Sequence, residues 1–87
     1  MEQLRDKEKG CEWDKEQDFK SIAPFTIEEA YEVADAIARE NHNDLKLELG
    51  DLLLQVVFLS QIAKEEGLFK FEDVANAISH KLISRHP

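Results

Sequence analysis

The chain has 87 residues, enough for one small hydrophobic core, and residues 1–87 are read as a single domain. Lys and Arg number 11 against 19 Asp and Glu, a net charge of −8, which argues against nucleic acid and against an anionic membrane surface as partners. A single cysteine, Cys11, rules out an internal disulfide framework and fits a reducing compartment.

The first residues are charged from Glu2 onward and lack the apolar stretch of a secretory leader, so the cytoplasm is the expected location. Asp6 to Asp14, around Gly10, is polar and reads as a loop. Lys15 to Ile22 is predicted to form a short helix that Pro24 ends. A second helix is predicted from Thr26 to about Glu40. Thr26 and Glu29 have capping-box spacing, and Ile27, Ala30, Val33, Ala34 and Ile37 supply an apolar stripe. Asn41 to Asp44 reads as a turn, with Asn43 or Asp44 as the next cap. Leu45 to Glu66 is predicted as a long helix closed by Gly67, and Glu72 to Ser84 as the last, with Val74, Ala77, Ile78 and Leu82 inward. No segment alternates at period two, so the fold class is all-α. Tyr31, Phe58, Phe69 and Phe71 are expected in the core.

The central helix is apolar around nearly its whole circumference, from Leu47 to Ile62. A helix of that kind must be covered on every side. The remaining short helices are too few for this, so a second chain is expected over part of it. The longest apolar runs, Leu52–Leu54 and Val56–Leu59, are too short to cross a bilayer.

Two acidic patterns carry the chemistry: Glu28-Glu29-Ala30-Tyr31-Glu32 and Glu48-Leu49-Gly50-Asp51. In each, carboxylates recur at a spacing of three and so share a helix face. On a wheel of roughly 100° per residue, Glu48 and Asp51 lie with Leu52, Gln55, Leu59 and Ile62, while Glu28 and Asp35 turn outward. Acids converging in an apolar setting need compensation, and a divalent cation supplies it. Hard oxygen donors favour Mg²⁺ or Mn²⁺ over zinc. Cys11 is the single thiol, too few for a Cys-based zinc site, and His42, His80 and His86 are scattered. The same spacings also occur on solvated faces, and Glu29 also fits a mere capping partner. Gly50, inside the second pattern, fits either a close approach to the backbone or simple helix packing.

At these residues the chain resembles the MazG-type nucleoside triphosphate pyrophosphohydrolases, specifically the first domain of the bacterial tandem enzymes. The resemblance runs through Leu4-Arg5-Asp6, Gly10 to Gln17 (with its Trp-Asp-Lys-Glu-Gln run), Ser21 to Glu32, Glu48 to Leu53 and Arg85-His86-Pro87. Glu12 departs from the usual Pro, and Ser84 from a usual basic residue. The resemblance implies an all-α homodimer, or higher oligomer, with a helical-bundle active site. It also implies Mg²⁺-dependent cleavage of nucleoside triphosphates to monophosphate and pyrophosphate. It implies Glu29, Glu32, Glu48 and Asp51 as metal ligands, with Glu28 ligating or orienting water. Trp13 and Lys15 match positions near the nucleotide, and Arg85 a basic C-terminal patch. Stacking on Trp13 reads any base poorly, which suits a broad choice of base. Two rival readings are a catalytically silent dimerisation module and a hydrolase of another pyrophosphate-linked nucleotide. The full set of five motif carboxylates speaks against the first, and the Trp13 run against the second.

Overall fold

The computed structural model describes residues 1–5 and 15–85. Among these lie four helices: α1 (Glu2–Arg5), α2 (Phe19–Ala38), α3 (His42–Glu65) and α4 (Phe71–Arg85). Lys15 and Glu16 are also helical, and no described residue is in a strand, so the chain is all-α as read from its periodicity. The loop expected over 6–14 lies outside the described residues.

The first long helix starts earlier than its pattern predicts and runs through Pro24. Its cap is Asp18, whose carboxylate accepts from the Ser21 amide at 2.8 Å, while the Asp18 amide donates to Ser21 Oγ at 2.9 Å. Thr26 is therefore a mid-helix residue and not a cap. An interior proline costs about 3 kcal/mol. Against this stand a reciprocal cap, worth about 1 kcal/mol, and the full burial of Ile22, worth about 1.5–3 kcal/mol. Lys20, whose carbonyl loses its partner, is exposed, so water can take the vacant bond.

The turn into α3 is a Schellman motif: Glu40 N–H donates to the Ile37 carbonyl at 3.0 Å and Asn41 N–H to that of Ala36 at 3.1 Å. Glu40 takes the left-handed conformation, φ 54°. Asn41, not Asn43 or Asp44, caps α3: its side-chain oxygen accepts from the Asp44 amide at 3.0 Å. Arg39 ties the turn by pairing with Asp35 at 2.8 Å and Asp44 at 3.2 Å. The same motif ends α3, with Gly67 at φ 72° as its sequence predicts. Asp73 then accepts from the Lys70 amide at 2.9 Å and starts α4.

Ile22 of α2 packs with Phe58 and Ile62 of α3, and Met1, Phe19 and Leu59 lean on this cluster. The short α1 is held to the same end by charge. Arg5 grips Glu65 through two bonds of 2.8 and 3.0 Å and lies 5.2 Å from the centre of the Phe58 ring, while Glu2 pairs with Lys64. No described residue of α4 is buried.

The single chain covers little of its apolar surface. Its accessible area is 6764 Å², against about 5,200 Å² for a self-contained protein of its mass. Its radius of gyration is 15.2 Å, against about 12 Å expected for its length. Phe58 is in the core as predicted, but Tyr31, Phe69 and Phe71 are exposed, as are Ile78 and Leu82 on the α4 face expected to point inward. The described helices leave these side chains uncovered.

Candidate metal centre

The pairing along α2 and α3 reads as a ladder. Ile22 meets Phe58 and Ile62, Thr26 meets Gln55, and Glu29 meets Glu48 and Asp51. Numbers rise on one helix as they fall on the other, so the helices are antiparallel and their short turn needs only three residues. Each rung is about one turn from the next. Spacings of three and four keep Ile22, Thr26 and Glu29 on one face of α2, and Asp51, Gln55, Phe58 and Ile62 on one face of α3.

At the third rung, one oxygen each from Glu29, Glu48 and Asp51 lie within 4.8 Å of one another. Glu29 and Glu48 are half-buried and Asp51 is exposed, so the group opens from the helix interface to solvent. Glu29 Oε2 is buried and has no hydrogen-bond partner. Its carboxyl pKa is raised, first by loss of solvent, then by the adjacent Glu48 carboxylate, then by the charges of Asp51 and Glu32. Two like charges about 4 Å apart repel by about 4 kcal/mol at an effective dielectric of 20. No ion pair among the described residues relieves the group.

An orphaned, buried carboxylate oxygen beside two further carboxylates fits a divalent cation. The donors are hard oxygens, which suit Mg²⁺ or Mn²⁺. Mg²⁺ usually takes only one or two protein carboxylates and fills its remaining positions with water and phosphate oxygens. Three carboxylates at a solvent-facing rim leave such positions available. A cavity of about 280 Å³ at Lys64, Gly67, Leu68, Phe69, Lys70 and Asp73 lies at the opposite end of α3.

Of the residues singled out by sequence, the structure thus unites Glu29, Glu48 and Asp51. Glu32 is exposed and outside the group of three, although its charge is felt at Glu29. Glu28 is exposed, on the outward side expected for it. Lys15 is half-buried ahead of the Asp18 cap, and about 15 Å of helix separates Phe19 from Glu29. Arg85 is exposed at the last residue of α4, whose first turn is the part lining a cleft with Val57 to Lys64 of α3. Trp13 lies outside the described residues. Among the described residues, a Cβ added at Gly50 would meet nothing within 4 Å, so neither a close approach nor packing by them explains that glycine.

Sequence reasoning missed the Thr26–Gln55 contact, in which Thr26 Oγ1 donates to Gln55 Oε1 at 3.1 Å. The signal was present: Gln55 shares the wheel face of Glu48 and Asp51, and Thr26 precedes Glu29 by three. Assigning Thr26 to a cap concealed it.

Comparison with known proteins agrees with this architecture. Residues 17–87 match the MazG nucleotide pyrophosphohydrolase domain. All 87 residues align at 64% identity with the nucleoside triphosphate pyrophosphohydrolase of Escherichia coli K12, covering 33% of that protein. They align at 54% identity with the nucleoside triphosphate pyrophosphohydrolase/pyrophosphatase MazG of Thermotoga maritima, covering 34% of it. A Mycolicibacterium smegmatis nucleoside triphosphate pyrophosphohydrolase is 42% identical over 77 residues, 86% of this chain and 24% of the relative. The chain thus spans about a third of the length of the first two relatives. With the match extending over most of its residues and including the carboxylate-bearing helices, the chain belongs to the MazG nucleotide pyrophosphohydrolase family.

Proposed function

We propose that this chain forms a single domain that hydrolyses nucleoside triphosphates to monophosphate and pyrophosphate with Mg²⁺ or Mn²⁺, with broad choice of base. The observation that carries the reading is the orphaned Glu29 Oε2, buried against Glu48 and Asp51. Such an arrangement is costly without a cation and useful with one.

Glu29, Glu48 and Asp51 would hold the ion, and Glu32, one turn further along α2, adds negative charge at the rim. When bound, such an ion neutralises phosphate charge and lowers the pKa of coordinated water. The chain's own task is then to orient. Carboxylates repel a triphosphate, so the four acids serve the cation and leave phosphate contacts to basic groups. Lys15 and Arg85 are proposed for those contacts and Trp13 for stacking on the base, on the family resemblance. Glu28, outward on α2, is proposed to orient water.

A homodimer accompanies this reading. The chain exposes about 1,500 Å² beyond the expectation for its mass, whereas a standard interface takes about 800 Å² from each partner. Tyr31, Leu53 and Ile83, each more than half exposed, are among the residues a second copy would cover. No helix among the described residues is long and apolar enough to cross a membrane, and the acidic surface is unsuited to nucleic acid. A cytoplasmic location is proposed because the single cysteine, Cys11, fits a reducing compartment.

The test is pyrophosphate release across the common ribo- and deoxynucleoside triphosphates, with and without Mg²⁺. Glu48→Gln is expected to lower turnover at least about 100-fold while the far-ultraviolet circular dichroism stays unchanged. Metal-independent release, orthophosphate as the product, or an active Glu48→Gln variant would each overturn the assignment.

A further inference from the structure

We propose that the Thr26–Gln55 hydrogen bond is a positioning device for the carboxylate site, holding α2 and α3 in the register that brings Glu29 to Glu48 and Asp51. The proposal rests on the reading of those three residues as a cation site. Thr26 lies three residues before Glu29, about 4.5 Å along α2, and Gln55 four residues after Asp51, about 6 Å along α3. The bond therefore sits one turn from the acids, between them and the apolar cluster.

Three observations give this rung a task that the apolar one cannot perform. Apolar burial at Ile22, Phe58 and Ile62 is non-directional and tolerates small sliding, whereas a 3.1 Å hydrogen bond fixes both distance and angle. Thr26 has one hydroxyl proton and two acceptors in reach, the Ile22 carbonyl at 3.4 Å and Gln55 Oε1 at 3.1 Å, and the shorter contact is the one across the helices. The backbone on both sides is also weak where the acids are carried. Pro24 deletes a helix bond just before Thr26, and Gly50 loosens α3 between Glu48 and Asp51. Glu29 on α2 faces the like-charged Glu48 and Asp51 on α3, and the Thr26–Gln55 bond is a side-chain hydrogen bond that ties the two helices beside them.

Groups that orient metal ligands from behind commonly change affinity by about 10–100-fold when removed. The experiment is calorimetric titration of the full chain with Mn²⁺, each variant being checked for folding by circular dichroism and thermal melting. Thr26→Val keeps the β-branched shape and loses the hydroxyl. It is expected to weaken Mn²⁺ binding about 10-fold, and Thr26→Ser to restore it. Gln55→Leu should show the same loss, and the double variant no more than either single one. Arg5→Ala, which loosens the far end of the hairpin, should lower the melting temperature and leave Mn²⁺ affinity at the unsubstituted value. Thr26→Val binding Mn²⁺ as tightly as the unsubstituted chain would overturn the proposal. So would Arg5→Ala weakening binding as much as Thr26→Val, since general loosening would then be the cause. Absence of saturable Mn²⁺ binding by the unsubstituted chain would remove the cation site itself, and the positioning role with it.

Discussion

The two ends of the α2–α3 hairpin treat charge in opposite ways. At the end where Ile22 meets Phe58 and Ile62, each charge drawn toward the core has a partner. Arg5, with a side chain only 6% exposed, is gripped by Glu65 and lies against the Phe58 ring, and Glu2 pairs with Lys64. Toward the other end, Glu29, Glu48 and Asp51 converge with no cationic side chain among the described residues paired to them, and one oxygen is buried without a hydrogen-bond partner. Among the described residues, Arg5, Arg39 and Lys64 pair with carboxylates outside that group. The contrast separates charge that holds the fold from charge that does not, and the second is what the proposed function assigns to a cation.

The largest expected effect comes from breaking the paired end. Arg5→Ala removes a two-bond ion pair, the contact with Phe58 and the packing of the Arg stem. Glu65 is more than a third exposed and can be rehydrated, which keeps the loss below that of a fully buried pair. Urea unfolding should show about 2 kcal/mol of lost stability. A loss within error of zero would mean that α1 is not held to α3 in solution.

Neutralising the acid end should have the opposite sign. Glu29→Gln removes the charge that Glu48, Asp51 and Glu32 oppose. The metal-free variant should gain stability on the order of 1 kcal/mol at neutral pH, a figure limited by solvent screening at the rim. The pH dependence follows from the raised pKa of Glu29. The folded chain keeps this proton to higher pH than the unfolded chain, so between the two pKa values it binds more protons and loses stability as pH rises. The advantage of Glu29→Gln over the unsubstituted chain should therefore be absent below the ordinary carboxyl value of 4.5 and grow above it. Saturating Mn²⁺ should reverse the order by stabilising only the unsubstituted chain. A metal-free Glu29→Gln less stable at pH 7 than the unsubstituted chain would show that Glu29 is not repelled.

Much of this contrast is legible in the sequence, for identifiable reasons. Helical periodicity places α3 and α4 within a few residues, because Gly67 and the apolar rows are strong local signals. The spacing of Glu48 and Asp51 among leucines, together with Glu29 on the preceding helix, marks the acid group. What stays hidden depends on competition between local preferences and tertiary contacts. Pro24 reads as a break, yet burial of Ile22 and the Asp18–Ser21 cap carry α2 through it. Thr26 fits a cap by spacing, but its hydroxyl is drawn to Gln55, 29 residues away. The exposure of Tyr31, Phe69 and Phe71 cannot be read from residue type, since it depends on how much chain is available to cover them.

The smallest expected effect concerns the two turns, which repeat the contrast in the backbone. Both use the same hydrogen-bond motif and both require a left-handed residue. The paired end supplies Gly67 at φ 72°, and the acid end supplies Glu40 at φ 54°. A residue with a Cβ pays for that conformation, whereas glycine does not. Glu40→Gly should therefore raise the urea midpoint by the equivalent of about 0.5–1 kcal/mol, the relief of strain being partly offset by the greater freedom of glycine when unfolded. Gly67→Ala should cost about 1 kcal/mol. Cation affinity should be unchanged in the first variant, because the turn is already tied by Arg39 to Asp35 and Asp44. If Glu40→Gly instead destabilised the chain, the Glu40 side chain would hold a contact in solution that outweighs its backbone strain, and the turn at the acid end would be a built feature of the site and not a tolerated cost.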